Sequence, residues 1–223
     1  MKLLAFFALV AACSAAVGAT YGGGIAASLL PDPGTHGAWY ASRASGVAAY
    51  LFLWAGLVGG LWMSSAWFDG VVNRGRLLAI HQTAGIAGVV LGLGHGLVLL
   101  PDPWTHFTLG DILIPFGSYY KTLLSAFGQM ALYLSAIVSF SFWFRSMIGT
   151  RVWKYLHYTA FVAYGAALWH GLMIGTDARA LWLLGLYLST SLAVVFIVVV
   201  RITYRRPVPQ RRSVHAARET NAA

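Results

Sequence analysis

The sequence predicts an all-α membrane protein, a bundle of six transmembrane helices, and three observations lead to this fold class. The chain has 223 residues, of which 59% are hydrophobic and only 9% are charged, unlike an ordinary soluble domain. Several apolar runs reach the roughly 20 residues that a helix needs to cross a bilayer. Proline-containing or charged segments separate these runs and predict the turns between helices.

The composition also excludes several kinds of site. A single cysteine, Cys13, rules out an internal disulfide and any metal site built from several cysteines. Six acidic residues are too few for a carboxylate cage around a hard cation. The net charge of +9 suggests nucleic acid at first sight, but its distribution is typical of membrane orientation, so we expect no nucleic-acid partner.

The first segment, residues 1–30, has one lysine followed by an apolar run and small residues. This pattern fits a first transmembrane helix and a signal peptide equally well. We expect an uncleaved helix from Leu3 towards Leu30, which Pro31-Asp32-Pro33-Gly34 then ends.

Five further helices follow, within a predicted transmembrane domain of residues 44–200. Their expected ranges are Ala44–Trp62, Arg74–Leu100, Thr122–Phe144, Val152–Gly175 and Leu181–Val200. The stretch between the third and fourth helices, residues 101–120, is polar enough to be an external loop. Residues 201–223 form a basic tail, which we expect to be disordered, cytoplasmic and attracted to anionic lipid headgroups.

The basic residues predict the orientation of the chain, because positively charged loops stay in the cytoplasm. Of the 15 lysines and arginines, only Arg43, Lys121 and Arg179 fall in the loops of one side. The remaining basic residues fall on the other side: Lys2, Arg74, Arg76, Arg145, Arg151, Lys154, Arg201, Arg205, Arg206, Arg211, Arg212 and Arg218. We therefore expect a multi-pass protein of the cell inner (plasma) membrane with both termini in the cytoplasm.

Two of the predicted helices carry histidines at matched separations. His81 and His95 are fourteen residues apart, which on an α-helix places them on the same face and about 21 Å apart. His157 and His170 are thirteen apart, and a regular helix would turn them roughly 140° from each other. That second helix is therefore expected to tilt, loosen or bulge, for instance near Gly165.

Ionisable side chains inside a membrane segment are costly and usually mark a function. Both histidine helices run outwards from the cytoplasm, so His81 should lie level with His157 near the inner surface, and His95 with His170 near the outer surface. We interpret these pairs as axial ligands of two b-type haems stacked across the membrane. Glycines beside the histidines would let a flat porphyrin approach: Gly85, Gly88, Gly92, Gly94, Gly96, Gly165 and Gly171.

The histidine spacing, the six-helix layout and the stretches Trp153-Lys154-Tyr155-Leu156-His157-Tyr158 and Trp169-His170-Gly171 resemble the ferric reductase-like transmembrane domain. This superfamily includes NADPH oxidases, ferric reductases, STEAP metalloreductases and the haem-bearing membrane subunit of bacterial methionine sulfoxide reductase. The resemblance covers about residues 44–200. It implies that the four histidines hold two haem irons, His81 and His157 the inner and His95 and His170 the outer, and that electrons leave the cytoplasm.

Long members of that family carry flavin and nicotinamide domains, for which the 23 residues after Val200 are too few, and no G-x-G-x-x-G fingerprint follows a strand. We therefore expect flavin only through a partner: a separate cytoplasmic flavoprotein, a ferredoxin-type donor, or a quinol. The chain would be an oxidoreductase component. Ferric iron, oxygen, quinone or a periplasmic flavoprotein or molybdoenzyme all fit as the outer acceptor.

Other interpretations compete with this one. The cytochrome b of respiratory complexes and the cytochrome b561 group hold similar histidine pairs on different helices. An alternative function is that of a membrane cytochrome b subunit that anchors and reduces a periplasmic oxidoreductase. A haem-free channel or transporter would need a polar path, for which Gln82, Gln129, Ser135, Ser139 and Ser141 are candidates. Candidate partners for haem propionates are Arg74, Arg76, Arg151 and Lys154 inside and Arg43 and Lys121 outside, and Phe161 and Tyr164 are candidates for the electron path.

Overall fold

The computed structural model describes residues 37–65, 73–175, 178 and 180–203. Across these ranges it contains six helices and no strand, which confirms the all-α prediction for this part of the chain. The helices are α1 (Gly37–Ser64), α2 (Arg74–Leu97), α3 (Leu109–Leu113), α4 (Thr122–Ile148), α5 (Thr150–Ile174) and α6 (Leu181–Thr203). The predicted first helix, residues 1–30, and residues 204–223 of the predicted tail lie outside the described residues.

Local sequence signals set several helix ends. α2 begins where the Asn73 side chain accepts hydrogen bonds from two backbone N–H groups of the first turn, Gly75 at 2.9 Å and Arg76 at 3.3 Å. α4 begins at Thr122 as predicted but continues to Ile148, and α1 already runs from Gly37 rather than from Ala44. The predicted external loop, residues 101–120, contains the short helix α3.

Four of the described helices, α1, α2, α4 and α6, are long and apolar enough to cross a membrane. The prediction of six crossings is therefore supported for four helices only. α5 is of similar length, with 25 residues, but its two histidines and its tyrosines and tryptophans make it less apolar than the other long helices. The predicted first crossing falls outside the described residues.

The long helices pack as two antiparallel hairpins. α1 lies along α2, and α4 lies along α5. Weaker packing joins α2 to α4 and α1 to α5, which closes a ring in the order α1, α2, α4, α5. Because of this order, the two histidine helices, α2 and α5, lie diagonally across the ring. α6 packs against α1 and α5.

The surface of the bundle is strongly apolar. On α6, four large side chains at helical spacing form an exposed stripe: Leu188, Leu192, Val195 and Val199, all more than half exposed. The opposite side of α6 joins a buried cluster with α1 and α5 that includes Tyr50, Tyr164 and Tyr187. An apolar stripe of this length on the outside of a helix bundle fits a lipid bilayer as the surrounding solvent.

Candidate functional site

The four predicted site histidines come together as two pairs across the ring. The ring centres of His81 and His157 are 5.8 Å apart, and those of His95 and His170 are 6.1 Å apart. Each pair takes one histidine from α2 and one from α5. This is the pairing predicted from the helix orientations. The fourteen-residue separation on α2 places the pairs about 21 Å apart along the bundle.

The expected irregularity of the second histidine helix is not seen. α5 is continuous α-helix from Thr150 to Ile174, through Gly165. The two rings instead leave α5 in different directions and still face α2, because α2 and α5 are diagonal and leave a gap that side chains cross. His157 turns back along its own helix and stacks on Trp153, with ring centres 4.8 Å apart and planes at 27°.

Three of the four rings are oriented by hydrogen bonds within their own hairpin. In each, Nδ1 donates to a backbone carbonyl oxygen of the partner helix: His81 to Gly56 at 2.7 Å, His95 to Ser42 at 2.6 Å, and His170 to Leu124 at 2.7 Å. Because a carbonyl oxygen only accepts, Nδ1 carries the proton in these rings. The lone pair is therefore left on Nε2, which is the arrangement of a metal-binding histidine fixed by its second nitrogen.

A glycine lies one helical turn beyond each of these three carbonyl groups. The glycines are Gly60 after Gly56, Gly46 after Ser42, and Gly128 after Leu124. A Cβ added at Gly46 or Gly128 would come within 2.8 Å or 2.7 Å of the imidazole, and one at Gly60 within 3.2 Å. Each imidazole ring thus occupies space that a larger residue's side chain would fill at the glycine position. These glycines sit on the neighbouring helices, and the sequence analysis missed them.

Each histidine pair lines a cavity of its own. We call His95 and His170 the outer pair and His81 and His157 the inner pair, after the orientation expected from the sequence. The outer pair lines a cavity of about 520 Å³, and the inner pair lines one of about 1120 Å³. Cofactor and ligand cavities in proteins are commonly about 300–1,000 Å³. Of the glycines predicted to face a cofactor, five line one of the cavities: Gly85, Gly88, Gly92, Gly96 and Gly171. Gly94 and Gly165 do not, and a Cβ at either would meet nothing within 4 Å.

A pair of tyrosines lies between the two cavities. Tyr50 lines the outer cavity and Tyr164 the inner one, and their hydroxyl oxygens are 2.8 Å apart. The two rings stack at 5.6 Å, and the Tyr50 hydroxyl also lies 2.7 Å from Thr190 Oγ1. Tyr164 was among the predicted path residues, whereas Tyr50 was missed because its partner is 114 residues away in sequence.

Positive charge collects at the inner end of the bundle. Six described cations lie near that end: Arg74, Arg76, Arg145, Arg151, Lys154 and Arg201. Only Arg145, Lys154 and Arg201 among them line the inner cavity. Of the candidate partners for a haem propionate at this end, Lys154 therefore lines the cavity, whereas Arg74, Arg76 and Arg151 do not, because they belong to the outermost turns of α2 and α5.

The outer cavity has a different electrostatic lining. Arg43 lines it as expected, together with Asp111 from the loop. Lys121 does not line it, and its ammonium group lies 3.5 Å from the carbonyl oxygen of Met173. Among the described residues, one cation and one carboxylate therefore line the outer cavity.

The loop of residues 101–120 is fastened over the outer cavity. The buried side chain of Gln129 donates to the carbonyl oxygens of Asp111 at 2.7 Å and Ile112 at 3.1 Å. Thr108 caps α3, and its side chain holds the pKa of the Asp111 carboxyl below its usual range, together with the Thr108 and Tyr119 backbone N–H groups. The loop is thus an ordered cover.

The described residues contain no group of three or more histidine, cysteine, aspartate or glutamate side chains that could hold a metal ion. Each pair supplies only two imidazoles, so a metal bound there would need its remaining ligands from a non-protein group. An imidazole nitrogen lies about 2.0–2.1 Å from a bound divalent metal, which puts the ring centres of two opposed ligands roughly 6 Å apart. The observed separations of 5.8 and 6.1 Å fit this requirement.

Comparisons of the chain with protein-family models, with curated proteins and with solved structures find no match. The resemblance to the ferric reductase-like domain therefore rests on the histidine spacing and the local patterns around His157 and His170. The functional argument rests on the geometry of the two pairs.

Proposed function

We propose that this chain is a membrane cytochrome that carries electrons through two b-type haems, from a cytoplasmic or quinol donor to an acceptor on the outer side. The observation that carries the proposal is the pair of imidazoles in each cavity, with ring centres about 6 Å apart and Nε2 left for a metal in three of the four rings. When bound, a haem supplies a one-electron carrier whose potential depends on axial ligands, burial and nearby charge. His81 and His157 would hold the inner iron, and His95 and His170 the outer.

The protein residues around each site have separate tasks. The carbonyl groups of Gly56, Ser42 and Leu124 fix the protonation and direction of the ligand rings before any metal binds. Apolar residues make up most of both cavity walls, and a cofactor packed against them would feel nearby charges more strongly than in water. Arg145, Lys154 and Arg201 are placed to pair with the carboxylates of a cofactor in the inner cavity.

The two histidine pairs lie at different depths of the bundle, and the hydrogen-bonded Tyr50 and Tyr164 connect the linings of their cavities, which also share Leu53 and Ser135. This arrangement supports electron passage from one end of the bundle to the other. The cations at the inner end favour an acidic electron donor on that side, such as a flavoprotein or ferredoxin. The donor, and any oxidoreductase anchored on the outer side, are part of the proposal.

A channel or transporter is less well supported. A conducting path needs polar side chains turned towards a water-filled pore. Two of the candidates are already bonded within the protein: the Ser141 hydroxyl donates to the Val138 carbonyl oxygen at 2.7 Å, and Gln129 bonds the outer loop. Both cavities are lined mostly by apolar groups, which suits a flat apolar cofactor better than a stream of ions.

Electron transfer across the membrane of sealed vesicles tests the proposal. The purified chain, supplied with haem during expression, would be placed in sealed vesicles that enclose ferricyanide, and dithionite would be added outside. We expect the enclosed ferricyanide to be reduced much faster than in empty vesicles. Vesicles with the His95→Ala variant serve as the matched control, because that change removes one outer ligand and leaves the inner pair. Equal rates with the chain, the variant and empty vesicles would exclude electron transfer.

A further inference from the structure

His157 differs from the other three site histidines. Its Nδ1 atom is buried and has no hydrogen-bond partner among the described residues. His81, His95 and His170 all place the same atom on a carbonyl oxygen of the partner helix. Among the described residues, the His157 ring stacks on Trp153 of its own helix and lies 5.8 Å from the His81 ring.

The register of the helices explains this difference. On α1, the two acceptor residues, Ser42 and Gly56, are fourteen apart, which matches the fourteen residues between His95 and His81. The acceptor for His170 on α4 is Leu124. An equivalent acceptor fourteen residues further along α4 would be Val138, whose carbonyl oxygen accepts the Ser141 hydroxyl at 2.7 Å and receives no bond from His157.

Two features of the sequence set Val138 apart from the three acceptor residues. A glycine lies four residues after each of those acceptors, whereas Phe142 lies four residues after Val138. The histidines of α5 are thirteen apart rather than fourteen, and one residue turns the side chain by about 100° around the helix. The thirteen-residue spacing thus offsets His157 around the helix from the position that would match Val138, and its Nδ1 atom has no acceptor among the described residues. α5 remains a continuous helix through this offset.

An imidazole ligand that donates its other N–H group to a carbonyl is held in direction and is a stronger donor, and loss of such a partner typically costs about 10–100-fold in metal affinity. His157 lacks this support, while His81 opposite retains it. The inner cavity is also the larger one, about 1120 Å³ against about 520 Å³. With the same cofactor in both cavities, the inner one would leave more free space than the outer one for a displaced ring and an incoming small molecule.

We propose that the inner site is an openable ligand-binding site: a small neutral donor such as carbon monoxide or free imidazole takes the place of His157, while His81 stays bound. The outer pair, with both rings held by carbonyl groups, stays closed to such ligands. The ligand class is that of small uncharged carbon or nitrogen donors. This inference rests on the proposed function, since it concerns a haem held by the inner pair.

The first test uses the full-length purified chain, with haem content measured beforehand. The protein is reduced with dithionite and titrated with carbon monoxide, and absorbance changes are followed in the haem bands. We expect about half of the bound haem to take up the ligand, as one openable site of two requires. Binding to none of the haem, or to all of it alike, would overturn the inference. A chain that contains no haem would contradict the proposed function itself.

Substitutions of the four histidines test whether His157 is the ligand that is displaced. His157→Ala should retain the inner haem on His81, with carbon monoxide affinity raised about tenfold or more because no ring competes. His81→Ala should lose most of the inner haem, since the remaining ligand is the unsupported one. His95→Ala and His170→Ala are the matched controls, and both should lose the outer haem to the same extent. Equal haem loss in His81→Ala and His157→Ala would contradict the inference.

Discussion

The hydroxyl oxygens of Tyr50 and Tyr164 lie 2.8 Å apart, and each tyrosine lines a different cavity. Their contact is the point at which the inner and outer parts of the bundle meet. It joins α1 to α5 across the ring, and Thr190 extends it to α6 through a 2.7 Å hydrogen bond with Tyr50. Three helices are thus tied together at mid-depth by hydroxyl groups that have no access to water.

Tyr50→Phe should destabilise the bundle without emptying either site. The change removes the Tyr50 hydroxyl bonds with Tyr164 and Thr190 and leaves the Tyr164 hydroxyl only the more distant Ser191 hydroxyl at 3.4 Å, and loss of buried hydrogen-bond partners costs about 1–3 kcal/mol. The free energy of unfolding in detergent should fall by that amount, with haem content unchanged. Tyr40→Phe is the control, because Tyr40 is 60% exposed. Equal stability of the two variants would show that the Tyr50 hydroxyl bonds do not contribute.

Alanine at Gly46 or Gly128 should remove the outer haem. The new Cβ would lie 2.8 Å or 2.7 Å from the imidazole of His95 or His170 and push the ring off its carbonyl acceptor. The haem content should fall from about two to about one per chain. Gly60→Ala should have a milder effect on the inner haem, because its Cβ would lie 3.2 Å from His81.

Two glycines inside other long helices of the bundle serve as controls for these substitutions. Gly94→Ala and Gly185→Ala place a Cβ where nothing lies within 4 Å. Both variants should keep full haem content and, through the higher helix propensity of alanine, equal or greater stability. If they lost haem as readily as Gly128→Ala, the steric explanation would be wrong.

The outer loop should loosen in acid. Hydrogen bonds from Thr108 lower the pKa of Asp111 in the folded loop, so its contribution to loop stability is complete above the ordinary value of about 3.9 and is lost as the pH falls through the lower folded value. Above the folded pKa of Asp111, the Thr108 and Tyr119 amides should exchange more slowly than in Asp111→Asn. As the pH falls through that pKa, their exchange should approach the rate measured for Asp111→Asn at the same pH. A pH profile identical to that of Asp111→Asn would contradict this role.

Electron entry from an acidic donor should depend on salt. Arg145, Lys154 and Arg201 line the inner cavity, and long-range attraction to an acidic protein weakens as ions screen it. The rate of haem reduction by a reduced ferredoxin should fall roughly tenfold between low and high ionic strength. Arg145→Gln should flatten this dependence, and Lys121→Gln at the outer end should leave it unchanged. A salt-independent rate would place the entry point elsewhere.

Much of the fold could be predicted because membrane helices are marked by local composition. The start of α4 at Thr122 and of α6 at Leu181 agree with the sequence, since turn residues and charges interrupt the apolar runs there. The pairing of His81 with His157 followed from helix direction alone. Whether α5 crosses the membrane was harder to predict, because its histidines, tyrosines and tryptophans make it less apolar than the other long helices.

The details of the candidate site depend on contacts between helices, which cannot be read from a single sequence. The glycines that seat the rings are on the neighbouring helices, and only the packing of the hairpins shows which ring meets which glycine. One signal was present in the sequence: Gly46 and Gly60 are fourteen apart, the same separation as His81 and His95. The unsupported state of His157 also follows from a register that only the packed bundle reveals.

The central claim is that each histidine pair holds one haem, and the most direct measurement is the haem content of the purified chain. A pyridine haemochrome assay, with protein quantified by amino-acid analysis, gives the number and type of haems per chain. The account predicts about two haems of the b type, falling to about one in the His95→Ala variant. Fewer than one haem per chain in the unaltered protein, after expression with ample haem, would contradict it.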